Sequence, residues 1–280
     1  MKRCTVDEYW DQLDSVDGWV TRTDFRALDA LLEWQERTTP PGDLVELGAY
    51  KGKSAILIGL HQRADEVFTV CDLFGDTAES AATRQHNDAW YGSWARDAFE
   101  KQYLRFHTEL PKVVHGPSST ILDNVSSRGN VRLLHIDASG IYGDARTDYA
   151  SAQTLLRSDG VVVSTGWRAE HFYGATAALW ESVFTTGLKP IGASSFNFYS
   201  TWADPEPAQK ALLNYAKAHP DFLLESEEIL GAPFLRMRTR APHVRDLTRA
   251  ERLAKEVLPN GITSRLGERR RRRTDQRANR

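Results

Sequence analysis

The chain has 280 residues, 41% of them hydrophobic and 26% charged, with a formal net charge of −2 and two cysteines. That length and balance suit a globular domain with appendages and exclude a disulfide scaffold. No run approaches the roughly 20 apolar residues of a membrane span, and Met1 to Asp7 carries no hydrophobic leader, so the expected compartment is the cytoplasm.

Residues 1–42 read as a helical cover. Between Asp24 and Arg37, Phe25, Leu28, Leu31 and Leu32 recur at helical spacing. Thr23 or Asp24 is the expected cap, and Thr38-Thr-Pro-Pro-Gly42 the stop.

Residues 43–240 form the main domain. Its opening stretch, DLVELGAYKGKS from Asp43 to Ser54, is a short apolar strand, a glycine-bearing turn and a helix start. Glu46 lies in the strand before Gly48. A second strand from Glu66 ends on Asp72, 24 residues beyond Gly48. Glycines at 48 and 52 permit a tight turn, and the carboxyl ends of parallel strands are where such sheets bind ligands. Asp72 is placed to accept hydrogen bonds from ribose hydroxyls. A dinucleotide fingerprint, G-x-G-x-x-G, is absent. The triphosphate loop G-x-x-x-x-G-K-[ST] is approached by Gly52-Lys53-Ser54 but is one residue short between its glycines. A plain strand–helix turn without a ligand is the remaining reading.

Strands are expected at Leu44–Gly48, Val67–Asp72, Lys112–His115, Val131–Asp137 and Val161–Ser164, with helices between them. That alternation predicts a parallel sheet with right-handed crossovers. Lys189–Ala193 and Phe196–Trp202 are separated only by Ser194-Ser195 and should form a hairpin. A helix is expected over Pro205 to His219 and a late strand or extension over Ala232 to Arg238. The insert from Thr77 to Phe106 holds His86, Trp90, Tyr91 and Trp94, as a crossover helix or as an aromatic lid over an acceptor. Cys71 reads as a small buried hydrophobe, and His135 as a packed strand residue.

The form E-x-G-x-x-x-G at Glu46, Gly48 and Gly52 resembles motif I of the class I S-adenosylmethionine-dependent methyltransferases. Farther on, Asp137, Tyr142, Asp148, Leu155 and the Arg157-Ser-Asp-Gly160 turn into Val161-Val-Val-Ser164 resemble the second half of a subfamily that modifies small molecules and sugars. The resemblance spans about Asp43 to Trp202. It implies an α/β, Rossmann-like seven-stranded sheet, mostly parallel with a terminal antiparallel hairpin, and S-adenosylmethionine as cofactor. By the same resemblance Glu46, Gly48, Tyr50, Gly52, Ser54, Asp72, Ser118 and Asp137 would hold the cofactor. Trp90, Tyr142, Trp167 and Arg168 would meet a small-molecule acceptor, and Asp137 and His171 are the candidates for catalysis. Two departures stand out. The family's histidine falls at Gly140 or Ile141, and its paired acids become Ser164-Thr165. Asp137 with two neutral hydroxyls is a poor cage for a hard cation, so no metal is expected. The expectation is a metal-independent O-methyltransferase; the rival is a non-catalytic scaffold of the same fold acting through a partner. Nothing arranges Ser, His and Asp or Cys and His for hydrolysis.

Residues 241–280 carry twelve Lys or Arg against five Asp or Glu, net +7, which leaves −9 on the remainder. Arg269 to Arg273 form an unbroken block. From Gly267 onward the composition predicts disorder, either as a solvated tail or as an electrostatic dock for nucleic acid, anionic lipid or an acidic partner. A charged helix is expected from Asp246 to Glu256. The sequence leaves room for a homo-oligomer without specifying one.

Overall fold

A computed structural model describes residues 4–78, 81, 83–85 and 96–240. His86, Trp90, Tyr91 and Trp94 of the aromatic insert, the helix expected from Asp246, and the arginine block lie outside the described residues. The chain divides into two units, Met1–Thr239 and Arg240–Arg280.

Helix α1 (Val6–Gln12) starts from a capping box in which Thr5 and Glu8 satisfy each other's backbone N–H groups. Helix α2 (Arg22–Thr38) starts the same way. Its cap is Thr21, not Thr23 or Asp24 as the sequence suggested. The helix begins two residues earlier, which makes Asp24 the third helical residue, whose carboxylate returns to the Thr21 N–H at 2.8 Å. Thr23 instead accepts the Thr239 N–H at 3.0 Å.

Nine strands, counted among the described residues, make one sheet: β1 (Asp43–Leu47), β2 (Phe68–Asp72), β3 (Lys112–His115), β4 (Val131–Ile136), β5 (Leu156–Thr165), β6 (Lys189–Ala193), β7 (Asn197–Thr201), β8 (Phe222–Ile229) and β9 (Ala232–Thr239). Their order is β3-β2-β1-β4-β5-β7-β6-β9-β8. The strands from β3 to β5 are parallel, and β7 enters antiparallel between β5 and β6. The expected seven strands are all present, including the hairpin across Ser194-Ser195.

β9, parallel to β6, is the late strand expected over Ala232 to Arg238, and the additional width is its hairpin partner β8. β8 reads FLLESEEI and lacks apolar alternation. It is held by cross-strand charge: Glu225 lies opposite Arg236 and takes two further bonds, at 3.0 and 2.7 Å, from Arg238. Leu230 and Gly231 both have positive φ (55° and 72°), the geometry of a two-residue hairpin turn.

Helices α3 (Lys53–Leu60), α4 (Arg96–Tyr103) and α8 (Glu206–Ala218) join α1 and α2 on one face. The short α5 (Ile121–Asn124), α6 (Tyr142–Leu155) and α7 (Tyr173–Thr185) cover the other. The strands alternate between these two cores. Leu44 and Leu133 face the α2 side, Val45 and Leu134 the α6 side. By that period Glu46 and His135 face the α2 side, and the two are register partners on β1 and β4.

Candidate active site at the carboxyl ends of the strands

The glycine turn is fixed by backbone geometry. Gly48 has φ +80°, and a Cβ there would lie 2.2 Å from the Asp137 carbonyl oxygen. The close approach that demands glycine is therefore to the end of β4. Gly52 (φ +88°) caps α3, and a Cβ there would press on the Phe99 ring at 3.0 Å. Between them Tyr50 holds φ +50°, a costly conformation for a non-glycine, with its ring 5.0 Å from that of Trp19.

Asp72, at the end of β2, grips this turn. Its Oδ2 accepts the N–H groups of Ala49 (2.6 Å) and Tyr50 (2.9 Å), and its Oδ1 accepts that of Phe74 (2.6 Å). A carboxylate has about four acceptor positions, so Oδ1 keeps one for another donor. Ser54 is buried in the first turn of α3. Lys53 directs its Nζ to the Gly18 carbonyl at 3.4 Å, which removes the cation that a phosphate-cradling loop would need.

Beneath the turn runs a buried polar chain. Glu46 Oε1 meets His135 Nδ1 at 2.8 Å, and His135 Nε2 meets Thr165 Oγ1, also at 2.8 Å. Thr165 in turn donates to Asn197 Oδ1 at 2.8 Å. Thr165 thus accepts from Nε2–H, and Nδ1 donates to the Glu46 carboxylate, so both ring nitrogens carry protons. Burial works against that imidazolium, but the hydrogen bond and charge of Glu46, with Asp137 and Asp24, raise the His135 pKa overall. Glu46 Oε2 is buried and has no hydrogen-bond partner among the described residues. Asp24 joins from the start of α2, where Ser194 Oγ donates to it and itself accepts the Asn197 N–H at 3.0 Å.

Asp137 follows β4. Its pKa is raised to about 7: loss of solvent is the main cause, the His135 charge opposes it, and Glu46, Asp72 and Asp24 add to the rise. It lines a small cavity with Ser164, Thr165, Trp167 and Phe172. Glu46, Asp72 and Asp137 therefore crowd around the glycine turn at the ends of three neighbouring parallel strands.

Other expected residues fall around this centre. Ser118 opens a 3-10 turn after β3. Trp167 lines the Asp137 cavity and donates Nε1–H to the Ser194 carbonyl at 3.3 Å, and Arg168 donates Nε–H to Ser195 O at 3.0 Å. The Tyr142 hydroxyl is spent on Glu181 at 2.8 Å. His171 stands against the Phe172 ring (4.8 Å) and is not part of the lining beside Asp137. Sequence reasoning missed His135 and Asn197 as site members. The signal for His135 is its register with Glu46, which only the pairing of β1 with β4 reveals.

Residues 45–164 match a family described as a methyltransferase domain. A search by sequence among curated proteins finds no match. Among solved structures, the O-methyltransferase NovP superposes with a TM-score of 0.52 at 17% identity, over 64% of this chain and 81% of its own. The calicheamicin methyltransferase CalS11 gives 0.48 at 14%, over 71% and 91%. The O-methyltransferase TomG of Streptomyces achromogenes gives 0.38 at 12%, over 82% and 85%. At such identities the likeness is one of fold. The segment that matches the methyltransferase domain begins at Val45, beside Glu46, and ends at Ser164, so it encloses the glycine turn and all three strand-end acids.

Proposed function

We propose that the crevice at the ends of β1, β2 and β4 binds S-adenosylmethionine and that the chain methylates a hydroxyl of a small molecule or sugar without a metal ion. The observation that carries this is the crowd of Glu46, Asp72 and Asp137 around the glycine turn, with His135 as its buried cation. The donor carries a sulfonium and an ammonium, and an acid-rich crevice favours both. The orphaned Glu46 Oε2 fits a bound ammonium, the spare position on Asp72 Oδ1 fits a ribose hydroxyl, and Ser118 borders the adenine end. When bound, the sulfonium supplies an activated methyl group; the protein's part is to align the acceptor for in-line attack.

Asp137 serves as the base. It is partly exposed and titrates near neutrality, so it can take the acceptor's proton. His171, packed on Phe172, is the weaker claimant. Metal independence is supported by the hydroxyls where the family carries paired acids. Ser164 accepts from the Tyr149 hydroxyl at 2.7 Å, and Thr165 is spent between His135 and Asn197.

Calorimetric titration with S-adenosylmethionine, in EDTA, tests this reading. Affinity should rise between pH 6 and pH 8 as Asp137 ionises toward a cationic ligand, and Asp137→Asn should flatten that dependence. Heat with ATP and magnesium but none with S-adenosylmethionine would refute it.

A further inference from the structure

On the α6 side of the sheet, where β9 and β8 extend past α7, lies a cavity of about 540 Å³. That volume is ordinary for a small-molecule site. Two partly exposed tryptophans face it, backed by buried rings: Trp167 lies 5.7 Å and Trp180 5.6 Å from Phe198, which lies 5.8 Å from Phe234. Such a surface favours a flat ring. The rim holds three arginines with unequal partners. Arg236 and Arg238 are neutralised by Glu225 and Glu227. Arg168 has no carboxylate partner among the described residues. Its Nε–H is anchored on the Ser195 carbonyl and its guanidinium leans on the Trp167 ring, 5.9 Å from the centroid. The anchored Nε leaves the two terminal nitrogens as a fixed fork, the geometry that binds a carboxylate bidentately. Trp167 borders this groove and also the cavity beside Asp137. β6 and β9 run parallel to β5, so Ser195 and Arg236 stand at the same end of the sheet as Thr165.

We propose that this groove is the acceptor site and that it selects a hydroxylated aromatic acid, ring against Trp167 and Trp180 and carboxylate on Arg168. The proposal rests on the methyltransferase reading and adds to it the chemical class of the acceptor. Specificity resides in Arg168, the one cation of the rim not already balanced by a glutamate.

The test uses the full chain with S-adenosylhomocysteine present, titrated with caffeate and 4-hydroxybenzoate, each against its uncharged methyl ester. At least one acid should bind about tenfold more tightly than its ester. Arg168→Gln, an exposed change with little risk to folding, should bring acid and ester to within about twofold. Trp180→Ala should weaken acid and ester alike, with unchanged far-ultraviolet dichroism confirming its fold. Acid binding no tighter than ester binding, or a preference that survives Arg168→Gln, overturns the proposal. S-adenosylmethionine binding is titrated on the same proteins. Its presence alongside failed acid selection rejects the acceptor class alone, whereas its absence rejects the methyltransferase reading.

Discussion

Asp148 offers a sharp physical test of the domain. It sits on α6 with no exposed surface, and its carboxylate receives at most a weak bond from the Ser118 hydroxyl. Burial raises its pKa from 3.8 to about 7; the nearby Ser118 hydroxyl offsets part of the rise and Asp144 adds to it. The folded chain then holds a proton, between pH 4 and 7, that the unfolded chain releases. Stability must fall as pH rises through that window and level off above about pH 8. Integrated between pH 5 and pH 8, the loss is about 2–3 kcal/mol. Asp148→Asn cannot ionise and escapes it. Urea denaturation of both proteins at the two pH values, followed by tryptophan emission, reads the difference directly. The variant's advantage should grow by about 2–3 kcal/mol from pH 5 to pH 8. An offset that is equal at the two pH values, or that shrinks, would show that the carboxyl reaches solvent or a donor when it ionises.

Two further outcomes follow from packing. Gly48→Ala forces a Cβ against the Asp137 carbonyl at positive φ and should cost about 2–4 kcal/mol; an unchanged melting temperature would contradict the close approach. Arg132→Met leaves Glu66, fully buried, without the Nε–H and Nη2–H bonds it receives at 2.8 and 2.9 Å, and should cost about 3–5 kcal/mol. Adding Glu66→Gln to that variant should recover part of the loss in the same denaturation assay, because the uncompensated charge is the larger penalty.

Most of the architecture was written in local pattern. Strand–glycine–helix at Val45 to Ser54 and the hairpin at Ser194-Ser195 each follow from short-range spacing, and the structure contains both. β8 was not legible, because its stability comes from pairing Glu225 with Arg236 and Arg238 on another strand, and cross-strand partners leave no periodic trace in FLLESEEI. The start of α2 was misplaced for a related reason. Thr21 and Thr23 are equally good caps in isolation, and the choice was decided by Thr239, more than two hundred residues away, which claims Thr23. The site divides along the same line. Gly48 and Asp72 were visible as a motif, but the glycine is demanded by the β4 carbonyl and the carboxylate also holds the turn. His135 became a site residue only once β1 and β4 were in register.

The two ends of the sheet treat buried acids in opposite ways, and that contrast locates function better than any single residue. At the amino ends Glu66 is saturated: Arg132 binds both of its oxygens, Arg63 adds Nε at 2.7 Å, and the Gly42 and Arg63 N–H groups add bonds at 3.0 and 2.8 Å. Asp29 and Glu36 there share His61 at 2.9 and 3.0 Å, whose pKa those two acids raise against the pull of burial. Charge at that end is closed, which is how buried acids are tolerated when their role is structural. At the carboxyl ends Glu46 keeps an unpartnered oxygen and Asp137 is held near neutrality, with His135 the cation they share. An arrangement that leaves carboxylates under-compensated in the core costs stability unless something else completes it. On the proposed reading, the compensating element is positively charged, enters between β1, β2 and β4, and is present only part of the time, in contrast to the permanent arginine at the other end. The cationic cofactor of the proposed function would meet these conditions.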